Sequence, residues 1–552
     1  MASDGTYDSE AGVYRGPLRP ALPEISDPYV DIFSFLCKNT RDPRYRNKLA
    51  LIDGLTGEGL SFYDLKEKVR AVAAGLTKRF GVVQGDVVLI LSPNTIWFPV
   101  VAYAVACLGA ITTTANHAYT EREILRQIQD SKARLIVTIP SLLDRVRAFG
   151  LPVILFGDAE AVAQVVAKEE KSAAVRVSRF SDLLTFDPAE APRVAVRQDS
   201  TAVLLYSSGT TGLSKGVVLT HRNCMYTAMQ FQYGPDLELR QRVKLLLLPM
   251  FHVYGLVIVT FSQLQRGSTV VCLPKYELEL ALRTIEKYRV TDFPAVPPIV
   301  LALAKQKVVG NYDLSSLVEL TSGAAPLGKD LMQEVARLFP SLRIRQGYGL
   351  TETSGLVSVA VVKEDNSHFG SCGSLAPDME AKVVDVATGK SLPPNEVGEL
   401  WVRGPNIMQG YLEKPEETAA TLDKEGWLHT GDIVYFDNEG SLYIVDRIKE
   451  LIKCKGFQVA PAELEGLLLT HPEIMDAAVV PLPDDEAGEV PTAYVVRAAG
   501  SNLSTSEVIA FIHKQVVFYK RLRQVTFIPA IPKSASGKIL RRELKAQRTA
   551  KL

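Results

Sequence analysis

Leu204-Leu205-Tyr206-Ser207-Ser208-Gly209-Thr210-Thr211-Gly212-Leu213-Ser214-Lys215-Gly216-Val217-Val218-Leu219 is the stretch that organises this chain. Apolar residues lead into it and apolar residues lead out. Between them lie five Ser/Thr hydroxyls, three glycines and Lys215. Glycine lets backbone amides approach a ligand closely. Hydroxyls and amides donate to phosphate oxygens, and lysine adds a point charge. The loop reads either as a cradle for a polyphosphate or as a glycine-rich hairpin turn. It is not the P-loop pattern, because Lys215 is followed by Gly216 rather than Ser or Thr.

A chain of 552 residues, 47% hydrophobic and 22% charged, has room for more than one domain and a large core. Sixty-two basic residues balance sixty-two acidic ones, which removes the electrostatic argument for a nucleic-acid partner. The six cysteines are scattered without a CxxC pair, so neither zinc nor a disulfide framework is indicated. Two apolar runs, 96–111 and 245–264, approach the length of a membrane span. The first is short and carries Pro99; the second carries Pro249, His252 and Gly255. Buried core segments are expected of both, and no membrane span. The first residues, Met1-Ala2-Ser3-Asp4-Gly5, lack the basic and apolar regions of a signal peptide. Ala550-Lys551-Leu552 is a close variant of the Ser-Lys-Leu address. It points to a peroxisomal import receptor and a peroxisomal location, with the cytoplasm as the alternative.

Along the chain, residues 1–30 read as a surface arm rich in Pro, Gly and charge. From Asp31 onward, helix-like and strand-like pieces alternate, predicting α/β architecture with largely parallel sheets and helices packed outside. Beyond Gly370 the texture changes to alternating strands such as Ala381-Lys382-Val383-Val384-Asp385 and Gly398-Glu399-Leu400-Trp401-Val402-Arg403-Gly404, which suggest a small β-barrel. The expected division is a large domain over 31–446, made of two βα subdomains plus that barrel. A hinge near Lys449 then leads to a small, mobile α+β domain over 447–552.

Three further motifs sharpen the reading of the opening loop. They are Gln346-Gly347-Tyr348-Gly349-Leu350-Thr351-Glu352-Thr353, Gly426-Trp427-Leu428-His429-Thr430-Gly431-Asp432 and Pro532-Lys533-Ser534-Ala535-Ser536-Gly537-Lys538. Together with the loop, in this order and at these separations, they resemble the adenylate-forming superfamily of acyl-CoA synthetases, in particular the plant 4-coumarate–CoA ligase-like group. The resemblance spans nearly the whole chain. It implies that a carboxylic acid attacks the α-phosphate of ATP, giving acyl-AMP and pyrophosphate, and that coenzyme A then displaces AMP.

The resemblance also implies roles. Ser207, Ser208, Gly209, Thr210, Thr211 and Lys215 hold the β- and γ-phosphates. Thr351 reaches the α-phosphate, and Glu352 holds Mg²⁺. Gln346 and Gly347 line the adenine and acyl-adenylate site, and Asp432 and Arg447 take the ribose. Lys538 is the adenylation lysine, and His252 lies by the acyl carboxylate. Lys449 matches the hinge. Lys453 and Gln458 serve the adenylate after the small domain has rotated, while Lys275, Lys455 and Gly456 match coenzyme A contacts. Tyr254, Ile258, Ala324 and Gly349 match acyl-pocket positions. The pattern departs from coumarate ligases where their pocket serine becomes Ile258 and their Ala-Gly-Pro-Val becomes Thr353-Ser354-Gly355-Leu356. These changes favour a more apolar or longer acid, so a hydroxycinnamate-like and a medium- or long-chain fatty (oxylipin-like) substrate both stay open. A luciferase-like monooxygenase shares every motif. A non-catalytic acyl- or nucleotide-binding protein is expected to lose Lys538 or Glu352, and both are present.

Overall fold

The computed structural model describes residues 6–17, 26–172, 176–207, 214–230, 242–360, 369–455, 457–484, 486–534 and 537–549. Two large sheets carry the long N-terminal part. In the eight-stranded one, Val87–Leu91, Ile111–Thr114, Ala133–Thr138, Val153–Leu155 and Val177–Arg179 run parallel. All five residues of Val87–Leu91 are buried, the signature of a strand covered on both faces. Thr201–Ser207 joins parallel to Ile111–Thr114, and Lys215–Thr220 and Gly410–Tyr411 then complete the edge antiparallel. In the nine-stranded sheet, Leu49–Asp53, Thr269–Cys272, Val243–Leu246, Asp292–Ala295, Glu319–Ser322 and Arg343–Tyr348 are parallel. Its antiparallel rims are Gly59–Ser61 on one side and Ser358–Val359 with Ser374–Leu375 on the other.

Helices start where local chemistry starts them. Ser61 and Asp64 form a reciprocal capping box at the head of Phe62–Phe80, and Gly81 ends that helix at φ 64°. Thr120 with Glu123 does the same for Glu121–Ser131. The apolar run 96–111 becomes the buried helix Trp97–Cys107 and the strand Ile111–Thr114. The run 245–264 breaks into the strand Val243–Leu246 and a π-helix, Tyr254–Phe261. Its wider turn is stitched by Thr260 Oγ1 donating to Gly255 O and Ser262 Oγ to Val257 O, both 2.7 Å. Among the described residues no helix is long and apolar enough to cross a membrane.

The barrel expected beyond Gly370 is not closed. Thr6–Asp8, Val13–Arg15, Glu380–Val384, Gly398–Arg403, Leu428–Phe436 and Leu442–Arg447 form one antiparallel six-stranded sheet whose first and last strands are its two edges. Part of the segment read as a surface arm supplies two of these strands, and Tyr14, 3% exposed, stacks on Phe436 at 4.1 Å. The chain leaves this sheet after Arg447 and enters a five-stranded one at Ile452–Cys454. Helices Pro461–Leu469, Thr505–His513 and Arg541–Thr549 accompany that last sheet, which has an apolar cluster of its own around Ile452, Leu464, Val479 and Val495.

Candidate active site

The opening stretch forms a hairpin whose strands stop opposite each other, Ser207 facing Lys215. The tip, with Ser208, Gly209, Thr210 and Thr211, lies outside the described residues, as do Gly456 and Ala550-Lys551-Leu552. At the hairpin's mouth Ser207 Oγ donates to Glu352 Oε1 at 3.0 Å, and Tyr411 Oη donates to the same oxygen at 3.0 Å. The Lys215 ammonium sits 4.6 Å from the centre of the Tyr411 ring. Glu352 is fixed by the single 3-10 turn Thr351–Thr353 and by Met408 N donating to its carbonyl at 2.9 Å. Carboxylate and hydroxyl oxygens are the donor set a hard divalent cation such as Mg²⁺ takes.

The strand Arg343–Tyr348 delivers the second group. Buried Gln346 accepts from Leu327 N through Oε1 at 2.5 Å and donates to Gly370 O at 3.3 Å. Gly349 has no room for a side chain, since a Cβ there would fall 2.2 Å from the Gly355 carbonyl oxygen. Tyr348 Oη donates to Asp432 Oδ2 at 2.6 Å, and Arg447 Nε donates to Asp432 Oδ1 at 3.0 Å. Asp432 is 2% exposed. Burial pushes its carboxyl up, against the pull of Arg447, Tyr348 and Lys538. The motif around Gly347 and the motif ending at Asp432 therefore meet in one hydrogen-bonded pair.

Lys538 comes from the C-terminal part and reaches the same place. Its loop is a tight turn in which Ser534 N donates to Lys538 O at 2.8 Å and Gly537 N to Ser534 O at 2.9 Å. Gly537 stands at φ +82°, and a Cβ built on it would lie 3.2 Å from Val296 Cβ, so the turn rests directly on the large domain. Burial and the Arg447 cation pull the Lys538 ammonium down, while Glu352, Asp432 and Glu450 act in the opposite sense. His252 is also within its field. Burial, and secondarily Lys538, push His252 down to about 3. Tyr254 N donates to His252 Nδ1 at 3.3 Å, so the neutral ring carries its proton on Nε2 and is a donor there.

The acyl-pocket positions also gather. Tyr254 and Ile258 lie on the π-helix, and Tyr254 Oη donates to Thr321 O at 3.0 Å. Ala324 holds a left-handed φ of 68°, unusual for a residue with a Cβ. A Cβ on Gly355 would touch Ile258 Cγ1 at 2.9 Å, so the isoleucine fills the space beside that glycine. Asn94, absent from the motifs, braces this corner. It donates to Leu248 O and Leu273 O at 3.0 and 3.2 Å and accepts from Met250 N at 2.8 Å.

The remaining candidates are exposed. Lys453 and Gln458 face each other across an exposed hairpin, Ile452–Cys454 with Phe457–Val459. Lys455 is exposed on its turn at φ 50°. Lys275 is exposed beyond the strand Thr269–Cys272, 3.8 Å from Glu277. Lys449 is exposed on the connection between the six- and five-stranded sheets.

A family model described as AMP-binding enzyme matches residues 39–412, and one described as AMP-binding enzyme C-terminal domain matches 463–538. The chain belongs to the AMP-binding enzyme family. A 4-coumarate–CoA ligase-like protein (number 2) of Arabidopsis thaliana is 45% identical, covering 95% of this chain and 92% of its own. The peroxisomal OPC-8:0-CoA ligase 1 of the same plant is 44% identical over 95% of this chain and 94% of its own. Among solved structures, ATP-bound MatB from Rhodopseudomonas palustris superposes with a TM-score of 0.80 at 26% identity, covering 94% of this chain and 99% of that one. The superposition on MatB therefore takes in nearly all of the chain, its large N-terminal part and its smaller C-terminal domain alike.

Proposed function

We propose that this chain, an ATP-dependent acid–CoA ligase, forms the acyl-adenylate in the arrangement described above and completes the thioester in a second arrangement of the same domains. The observation that carries this reading is the place of Lys538. A lysine from the C-terminal domain, carried on a turn whose Gly537 packs against Val296, stands in the field of Arg447 at the domain boundary and of Asp432 and Glu352, which come from two separate stretches of the large domain.

In the first half-reaction Asp432, oriented by Tyr348 and Arg447, accepts from the ribose hydroxyls. Gln346 and Gly347 border the adenine. Ser207 and Lys215, with the loop between them, hold the β- and γ-phosphates. Glu352 and the oxygens around it suit Mg²⁺, which neutralises phosphate charge when bound. His252 Nε2–H orients the substrate carboxylate, Thr351 the α-phosphate. A carboxylate oxygen attacks the α-phosphorus, the bond to the bridging oxygen breaks, and pyrophosphate leaves. Lys538 stabilises the charge that develops, which is the main contribution a protein makes to phosphoryl-centre chemistry.

The thiol then needs the place that Lys538 occupies. Rotation of residues 447–552 about Lys449 withdraws Lys538 and brings in the exposed hairpin with Lys453 and Gln458, a case of domain gating. Lys275, Lys455 and Gly456 take coenzyme A. The substrate is a carboxylic acid of the hydroxycinnamate or fatty, oxylipin-like class. Ile258 against Gly355 supplies apolar surface where a hydroxyl could have served a phenol, which favours the fatty class. Peroxisomal import through Ala550-Lys551-Leu552 belongs to the same reading, supported by the relative named peroxisomal. A fluorescent fusion with and without the tripeptide tests it, and equal distributions of the two would count against it. The reaction is tested by AMP release with coenzyme A across a panel of acids. Fatty and cyclised fatty acids are expected to exceed cinnamates, and no coenzyme A-dependent turnover with any acid would contradict the ligase reading.

A further inference from the structure

The helix Pro297–Lys305 of the large domain touches the C-terminal domain at both ends. Val296, just before its first residue, lies under Gly537, next to Lys538. At its last residue, Lys305 Nζ donates to three backbone carbonyls, Leu469 O at 3.2 Å, His471 O at 3.5 Å and Ile474 O at 3.1 Å. Those carbonyls lie where the helix Pro461–Leu469 ends and the strand Ile474–Asp484 begins. Leu469 is the last residue of its helix, and a helix C-terminus carries partial negative charge, so the ammonium meets the end of the dipole as well as the carbonyls beyond it. A third approach joins the same two domains, since a Cβ on Gly328 would lie 4.0 Å from Gly466 Cα.

We propose that Lys305 is a positioning residue, a latch that holds the C-terminal domain in the orientation that delivers Lys538 and that must open before the thioester step. The latch joins two domains that the second half-reaction requires to part, so its three hydrogen bonds exist in one orientation only. An interaction present in one of two states shifts the equilibrium by its whole differential value. Its loss therefore depopulates the adenylating orientation without touching ATP, acid or thiol. Burial of the ammonium at this interface lowers its proton affinity, as expected of a cation drawn out of water into a contact. The inference rests on Lys538 acting in adenylation, and the test separates the two.

Lys305→Met removes the donors while keeping the apolar stem; Lys305→Arg keeps a cation and several donors. Two half-reactions are measured for each variant: acid-dependent ATP–pyrophosphate exchange, and thioester formation from synthetic acyl-AMP and coenzyme A. Lys538→Ala is run alongside. Lys305→Met is expected to lower exchange about tenfold, the scale of hydrogen bonds to a charged group. It should leave thioester formation unchanged or faster, and Lys305→Arg should recover most of the exchange. Thioester formation doubles as the control for folding. Loss of both half-reactions together, or unchanged exchange in Lys305→Met while Lys538→Ala has lost it, overturns the latch and leaves the ligase reading standing. Retained exchange in Lys538→Ala overturns the reading on which the latch rests.

Discussion

Tyr348→Phe isolates one atom of the site. The phenol Oη donates to Asp432 Oδ2 at 2.6 Å, and Asp432 is 2% exposed, so water does not readily replace the lost donor. A hydrogen bond to an ionised group contributes about 1.5–3 kcal/mol, or roughly 10- to 150-fold in an equilibrium constant. Arg447 still donates to the other carboxylate oxygen, so the effect should lie at the low end. The expected result is a rise in KM for ATP of about tenfold, with KM for the acid unchanged, read in pyrophosphate exchange. A second readout is the pH profile. Burial already pushes the Asp432 carboxyl above its ordinary range, and the Tyr348 phenol is one of the groups that pull it back. Only the ionised carboxylate accepts from both ribose hydroxyls, so ATP binding fails as pH falls through its pKa. Removing the phenol raises that pKa, and the acid limb should move to higher pH. An unchanged KM for ATP together with an unmoved acid limb would refute the role given to Asp432.

Glu352→Gln keeps the shape that accepts from Ser207 and Tyr411 but removes the charge; exchange should fall about 100-fold or more, with the Mg²⁺ requirement shifted upward and AMP binding in chelator unchanged by calorimetry. Ile258→Ala opens the space beside Gly355 and should raise relative kcat/KM for bulkier acids about tenfold or more in a competition assay, the low end of what one methylene is worth in an apolar pocket. Glu465, buried against Val479 N and Arg541, is pushed up to about 7 by burial. The folded state therefore binds more protons than the unfolded chain between about 4.5 and 7, and stability falls as pH rises through that window. Thermal unfolding followed across that range should show a shallower decline in Glu465→Gln than in the parent.

What could be read from the residues, and what could not, follows sequence distance. The apolar runs around Ser207 and Lys215 are local, and they pair as the two strands of a hairpin, one of the two readings the stretch allows. The alternating strands after Gly370 are equally local, but closure into a barrel depends on which edges meet. The strand Val13–Arg15, arriving from hundreds of residues away, covers one of those edges instead. The all-apolar run around Tyr254 carries no period that separates a π-helix from an α-helix or a strand. Within the site, the motif residues announced themselves through glycine, hydroxyl and charge at short spacing. Their supports did not. Tyr348 lies 84 residues from Asp432, Tyr411 lies 59 from Glu352 and Lys305 lies 164 from Leu469. Tyr348 stands inside a quoted motif, yet nothing beside it in the chain says what its phenol meets.

The measurement that tests the two-arrangement account most directly is the split of half-reactions in Lys538→Ala and Lys453→Ala. The account predicts that Lys538→Ala loses pyrophosphate exchange and still converts synthetic acyl-AMP to the thioester, while Lys453→Ala exchanges pyrophosphate normally and fails at the thioester. Equal loss of both half-reactions in either variant, or the reverse pattern, would contradict it.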